Sequence, residues 1–426
     1  MLQKKAKDFN PPTFSFFFLK NYSFLLKTGE SSVNLGLHIC EDLWNKDGEV
    51  DVVNQLAAQG AELMINLSAS PFSQNRINDR INLVRQKVKQ THLPYIYCNL
   101  VGAQDELIFD GYSFIIGQDG TLTHISAGFT ESVDIINMDF LEETTFMEVD
   151  EEDNFKALSL GVLDYFHKTG HSTAVIGLSG GIDSALTTVI AADALGAKNV
   201  YGYALPSRFS SQHSIDDAKY LAEKTGINFD ILPINDIHIS MLSSLKGKLK
   251  DNSDSLALEN LQARLRGNLL MTIANDKGAL VLNTGNKTET ALGYSTLYGD
   301  MCGALGVISD LNKHEVYAMA NWINREKGSL IPENSITKPP SAELKPEQLD
   351  PFDYDRISPM VQKIITENKH LHQLVQEGYH NPEVNEVLRK IRYAEFKRRQ
   401  AAPGLRISRK AFGMGRRFPI VNQFEG

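Results

Sequence analysis

The sequence predicts an α/β protein whose longer, C-terminal part is a doubly wound parallel sheet. Three observations predict it. From about residue 155 onward, short apolar runs alternate with helical patterns. A glycine-rich string, GLSGGIDS at 177–184, closes the first of those runs and opens a helix, where such sheets hold anions. The 426 residues are 42% hydrophobic and 22% charged, which is ordinary globular usage with length for two or three domains.

Taken in order, the front half offers strands at Val33–Cys40, Leu63–Ser68, Tyr95–Val101 and Tyr112–Gly117, with Asp119-Gly120 as a hairpin turn. Helical spacing falls between them, at Val50–Gly60 and Arg76–Thr91. The acidic run at 142–153 follows neither period and reads as a linker. Beyond it come an amphipathic helix at Phe155–Thr169, a buried strand at Thr173–Leu178, and a helix at Ser184–Leu195. A strand at Val200–Leu205, a helix at Ser214–Thr225, a strand at Phe229–Ile234, a long helix at Leu256–Asn275 and a strand at Ala279–Asn283 follow.

Composition removes several classes of function. Lys plus Arg total 43 against 52 acids, a net charge of −9, so the chain is no generic polyanion binder. Three cysteines make neither a disulfide framework nor paired zinc knuckles, which suits a reducing cytoplasm. No run reaches the ~18 apolar residues of a membrane span. Phe14–Leu26 comes closest, behind Lys4, Lys5 and Lys7, but Lys20 and Asn21 interrupt it and no small-residue cleavage site follows. The tail from Arg389 to Arg417 holds 11 Lys or Arg and one acid, Glu395, a pattern that suits anionic nucleotides or an RNA patch.

The loop 177–184 carries the chemistry. Gly180 and Gly181 let the backbone approach a phosphate, and neither the Walker A spacing nor the dinucleotide fingerprint is present. Asp183 inside a phosphate loop calls for a bridging cation, Mg²⁺. The S-G-G-x-D-S string resembles the PP-loop of the ATP pyrophosphatase superfamily (the adenine nucleotide alpha hydrolase-like fold). That resemblance alone leaves NAD, GMP and asparagine synthetases and tRNA-modifying enzymes open. ENLQARLR (259–266), LNTGNKTE (282–289), GYSTLYGD (293–300), KPPSAEL (338–344) and FKRRQ (396–400) together resemble the synthetase domain of glutamine-dependent NAD⁺ synthetases.

The resemblance implies ATP-dependent amidation of deamido-NAD⁺ to NAD⁺ through an adenylylated intermediate, with release of AMP and pyrophosphate. It implies that Gly177, Leu178, Ser179, Gly180, Gly181, Ile182, Asp183, Ser184, Thr284, Lys313 and Ser341 hold ATP. Asp183 and Glu289 would hold Mg²⁺, and Asn260, Arg264, Glu289, Tyr294 and Lys397 would hold deamido-NAD⁺. Taken singly, Asn260 and Arg264 could be an exposed helix pair, Glu289 an N-cap partner, Lys313 a surface residue and Tyr294 a core residue. GMP synthetase, or an RNA-binding or RNA-modifying protein, is the alternative function.

In the front half, HICEDLW (38–44), NLSASP (66–71) and QDELIFDG (104–111) resemble the nitrilase-type glutaminase domain that precedes the synthetase in this family. The resemblance implies Cys40 as thiol nucleophile and Ser70 and Arg76 as glutamine contacts; a buried, inert Cys40 is the alternative. The family's Lys and Glu partners have no counterpart before Cys40, and a thiol without its base is mostly protonated at neutral pH. The expected layout is 1–32 unassigned, 33–141 a partial nitrilase-like α/β sandwich shortened at its N-terminus, 142–153 linker and 154–426 NAD synthetase domain. Free ammonia rather than glutamine is the expected nitrogen source. A homo-oligomer with no nucleic acid or membrane partner is expected as well.

Overall fold

The computed structural model describes residues 23–28, 31–44, 50–138, 142–249, 256–345 and 348–422. Most of the apolar stretch 14–26, and all of 1–22, therefore lie outside the described residues. Among those described, no helix is long and apolar enough to cross a membrane.

The strands are β1 Ser23–Thr28, β2 Ser31–Ile39, β3 Leu63–Ser68, β4 Tyr95–Asn99, β5 Val101–Gln104, β6 Leu107–Asp110, β7 Phe114–Ile116 and β8 Leu122–Ile125 in the front half. β9 Ala174–Gly177, β10 Val200–Ala204, β11 Asn228–Ile231, β12 Leu280–Asn283 and β13 Leu305–Gly306 follow. The helices are α1 Glu41–Trp44, α2 Val52–Ala58, α3 Arg76–Thr91, α4 Asp150–Lys168, α5 Ile182–Leu195, α6 Gln212–Thr225, α7 Asn235–Ser244 and α8 Leu256–Lys277. After them come α9 Lys287–Leu292, α10 Lys313–Glu326, α11 Glu333–Thr337, α12 Tyr354–Ile365, α13 Leu371–Gln376, α14 Asn381–Tyr393 and α15 Glu395–Arg398.

The front sheet runs β1-β2-β3-β4-β7-β8. Its centre, β2-β3-β4, is parallel, with Ile39 opposite Leu67 and Leu67 opposite Cys98; the outer pairs are antiparallel. The Asp119-Gly120 turn does join β7 to β8. The predicted strand Tyr95–Val101 is divided: Gly102, at φ 134, lets the chain turn into the separate hairpin β5–β6.

The second sheet runs β11-β10-β9-β12-β13 and is wholly parallel. Order reverses at β9, so the loop after β9 opens into the crevice where such sheets bind ligands. Successive β9 residues serve opposite faces. Ala174 and Ile176 enter the core shared with α5, while Val175 joins Leu270, Ala274 and Val281 in a second core under α8. A third, all-helical core joins Ala291 of α9 to α12, α13 and α14 through Met360, Ile364, Leu374, Val384 and Ile391.

The acidic run 142–153 is not a free linker. Asp150–Asp153 form the first turn of α4, where carboxylates suit the positive end of a helix. Asp153 is buried and accepts a hydrogen bond from Tyr112 at 2.7 Å. Further along α4, Asp164 accepts from the Ala103 backbone N–H at 2.7 Å, and Lys168 donates to the Ala103 carbonyl at 2.6 Å. The helix buries Phe155, Leu158, Val162 and Phe166 in the same core that holds Leu43 and Val84, so the two halves share one apolar interior.

Candidate functional site

A cavity of about 620 Å³ opens at the carboxyl ends of β9, β10 and β12, bounded by the loop 177–184 and roofed by 338–345. Gly180 sits at φ 73, and a Cβ there would lie 2.3 Å from the Ser214 carbonyl, so only glycine fits. No side chain caps α5, whose first N–H groups are left for an anion. Ser184 donates to the Gly181 carbonyl at 3.0 Å, and Ser335 to that of Gly180 at 2.8 Å, which fixes the loop.

Three charges gather beside it. Asp183, in the first turn of α5, accepts from Lys313 and, at 3.2 Å, from Asn286. Lys313 opens α10 and is 2% exposed; burial opposes its charge, but Asp183 and Glu289 hold its ammonium above the usual lysine value. Glu289 belongs to the capping box of α9. Burial, then repulsion from Asp183, pushes its carboxyl to about 8, with Lys313 only partly offsetting them. Among the described residues no group of three or more His, Cys, Asp or Glu forms a metal cage. Two carboxylates short of positive charge beside a phosphate loop do fit Mg²⁺, which commonly takes one or two carboxylates and completes its shell with phosphate and water.

Thr284, Tyr294 and Ser341 line the same cavity, Ser341 with its hydroxyl donated to the Gln348 carbonyl. Burial and the nearby Asp350 raise the Tyr294 hydroxyl, so it stays protonated. Asn260, Arg264 and Lys397 are brought together differently: each grips the 293–300 segment. Asn260 accepts from Thr296 at 2.7 Å, and Arg264 donates to the Leu297 carbonyl at 3.2 Å. Lys397 donates to the carbonyls of Gly293 and Ser295 at 2.7 and 2.6 Å. Lys397 also lines a neighbouring cavity of about 380 Å³, which shares Thr284, Glu289 and Asp300 with the first.

Asp300 is a functional candidate that the residue-by-residue reading missed. It stands in both cavities, and burial pushes its carboxyl to about 6 against the Thr296 N–H and Lys397. Its place inside GYSTLYGD was the available signal. The basic tail is largely engaged internally. Arg398 and Arg399 pair with Glu395, Arg398 also donates to the carbonyls of Thr290 and Ala291, and Arg409 pairs with Asp79.

In the front half, Cys40 stands at the carboxyl end of β2 at φ 39, a left-handed turn into α1. Its N–H donates to the Leu67 carbonyl at 3.0 Å, which sets it beside the end of β3. Arg76 opens α3 and lies 4.0 Å over the Trp44 ring. Ser70 is buried; its hydroxyl accepts from Arg80, whose guanidinium also pairs with Asp110 at 2.8 Å. The end of the parallel strands thus gathers Cys40, Ser70 and Arg76. Among the described residues no side chain hydrogen bonds the Cys40 thiol, and all three cysteines are free.

The NAD synthase family model matches residues 154–401. The carbon-nitrogen hydrolase model matches residues 11–144, starting upstream of the Val33 boundary read from the sequence. A glutamine-dependent NAD(+) synthetase of Synechocystis sp. is 43% identical over 410 residues, 92% of this chain and 73% of the relative. That of Thermotoga maritima is 38% identical over 444 residues, 94% of this chain and 77% of the relative. A solved glutamine-dependent NAD+ synthetase from Acinetobacter baumannii, in complex with ADP, superposes with a TM-score of 0.69 at 34% identity, covering 94% of this chain and 74% of that one. With a nitrilase-like front domain joined to a PP-loop synthetase domain, and at this level of identity, the chain belongs to the family of glutamine-dependent NAD(+) synthetases.

Proposed function

We propose that the chain amidates deamido-NAD⁺: ATP adenylylates the nicotinate carboxylate, pyrophosphate leaves, and ammonia displaces AMP. One observation carries the reading, the grouping of Asp183, Lys313 and Glu289 at the uncapped start of α5. A carboxylate becomes a good acyl donor only when its oxygen is turned into a leaving group, and in-line transfer at phosphorus is helped most by positioning and charge neutralisation. The α5 N–H groups and the loop backbone hold the phosphates, and Lys313 presents a permanent cation to them. Mg²⁺, when held by Asp183 and Glu289, would neutralise phosphate oxygens. Asn260, Arg264 and Lys397 support deamido-NAD⁺ by fixing the 293–300 segment beside the cavity.

The nitrogen comes from ammonia in this polypeptide. Amide hydrolysis by a thiol needs a base to take its proton and an acid for the leaving ammonia, and no described side chain hydrogen bonds Cys40.

The test measures NAD⁺ formed from deamido-NAD⁺, ATP and ammonium. Asp183→Asn removes one carboxylate and the Lys313 ion pair, so the rate should fall by about 10²-fold or more. A variant with the wild-type rate would remove the site from the reaction.

A further inference from the structure

Arg266 lies two residues after Arg264 on α8, so the two side chains leave opposite sides of the helix. Arg264 is exposed, whereas Arg266 enters the main cavity. Its Nε donates to the Leu205 carbonyl at 2.9 Å, just past the carboxyl end of β10. Among the described residues no carboxylate forms an ion pair with it, and its two terminal nitrogens have no hydrogen-bond partner. Burial pulls the guanidinium down to about 10, with Glu343 and Asp300 opposing from a distance, so it is charged at neutral pH. A half-buried cation that faces a cavity without an ion-pair partner is open to a counter-ion that a ligand supplies.

The position of Arg266 says which ligand. Leu205 and Leu270 line the same wall, and a Cβ on Gly177 would lie 3.8 and 3.0 Å from their side chains. The wall that carries Arg266 is therefore the one from which the phosphate loop springs. Asn260, Arg264 and Lys397 cluster instead around 293–300. We infer that Arg266 is a substrate-binding residue whose free N–H fork donates to the phosphate chain of ATP. A guanidinium suits this task because its parallel N–H groups match phosphate oxygens in pairs. The inference rests on the reading of this cavity as the ATP site.

Titration calorimetry of ATP and of adenosine, with no deamido-NAD⁺ present, tests it on the full chain. Arg266→Met should weaken ATP binding about 10- to 100-fold, as expected for lost charge-assisted hydrogen bonds, and leave adenosine binding unchanged. Arg266→Lys, which keeps the charge and loses the fork, should fall between the two. Equal ATP affinity in wild type and Arg266→Met would overturn the inference. An equal loss for adenosine and ATP would overturn it too, making Arg266 a packing residue against Leu205. If Arg266→Met does not fold, Arg266→Gln takes its place in the same comparison. Failure of the wild-type chain to bind ATP at all would instead overturn the cavity assignment beneath it.

Discussion

Replacing Glu343 by alanine should loosen the roof of the nucleotide cavity without touching its floor. The Glu343 carboxylate accepts from the hydroxyls of Ser211 and Ser214, each at 2.8 Å, and from the Ser211 N–H at 3.3 Å. These contacts pin 338–345 to the start of α6, beside which Lys338 pairs with Asp217 at 3.3 Å. Glu343 itself sits at φ 47, a conformation that costs a non-glycine residue ~1–3 kcal/mol, so the contacts must outweigh it. A hydrogen bond to a charged group contributes about 1.5–3 kcal/mol, and three that share two serines at a half-buried site are not additive. We take about 2–3 kcal/mol in all, which corresponds to about 30- to 150-fold. The KM for ATP should rise by that order in Glu343→Ala, with kcat falling less. Steady-state kinetics on Glu343→Ala, on Ser211→Ala with Ser214→Ala, and on the triple variant form a cycle that isolates the contact. Effects that add to within about 0.5 kcal/mol would refute the reasoning, because removing either side would then not abolish the same interaction.

Three other outcomes follow from His38, Lys287 and Cys40. His38, 2% exposed against Tyr95, is held at about 4, chiefly by burial, below the ordinary 6.5. The unfolded chain takes up that proton first, so stability should be lost as pH falls from about 6.5 toward about 4, by about 3 kcal/mol; urea unfolding across this range should show a flatter slope for His38→Gln, and an unchanged slope would contradict the assignment. Lys287 is fully buried, pairs with Asp310 at 2.8 Å and reaches Gln362, Thr366 and Ser408 at 3.0–3.3 Å. Lys287→Met should cost about 3 kcal/mol, since it strands a buried carboxylate; a loss under about 1 kcal/mol by denaturant titration would show that the backbone N–H groups of Ile407 and Ser408 suffice for Asp310. Cys40→Ala should leave ammonium-dependent NAD⁺ formation unchanged, and glutamine at matched nitrogen concentration should support little in either protein; comparable glutamine rates abolished by Cys40→Ala would show a completed triad.

What could be read from the sequence were the features written locally. The α3 boundaries, Arg76–Thr91, follow from spacing alone, because one apolar face repeats through the whole helix and β4 starts soon after. The phosphate loop was legible for the same reason: strand, two glycines and helix are contiguous, and the φ 73 of Gly180 needs a residue without a Cβ. Where local rules compete, the reading was coarser. The strand expected at Phe229–Ile234 is β11, Asn228–Ile231, an edge strand mostly exposed along its length, so no apolar alternation fixes its ends. The acids at 150–153 looked like linker because they form the acidic first turn of α4, facing the positive end of the helix without a side-chain cap, and only Asp153, under Tyr112, is drawn into the interior.

The candidate site divides along the same line. Asp183 announces itself by standing inside a glycine-rich loop, but the raised carboxyl of Glu289 exists only because the fold buries it and sets Asp183 of α5 beside it, against the partial offset of Lys313. Residue type could nominate Asn260, Arg264 and Lys397 through their strings, yet their common grip on 293–300 joins the 260s to the 390s across the fold. Arg266 shows the limit most plainly. Two arginines two positions apart on one helix are equivalent by composition, and only the helical turn sends one to solvent and the other into the cavity, with no ion-pair partner among the described residues. A charge with which no described carboxylate forms an ion pair is open to one that arrives with the substrate, so binding chemistry at this wall is completed by the ligand.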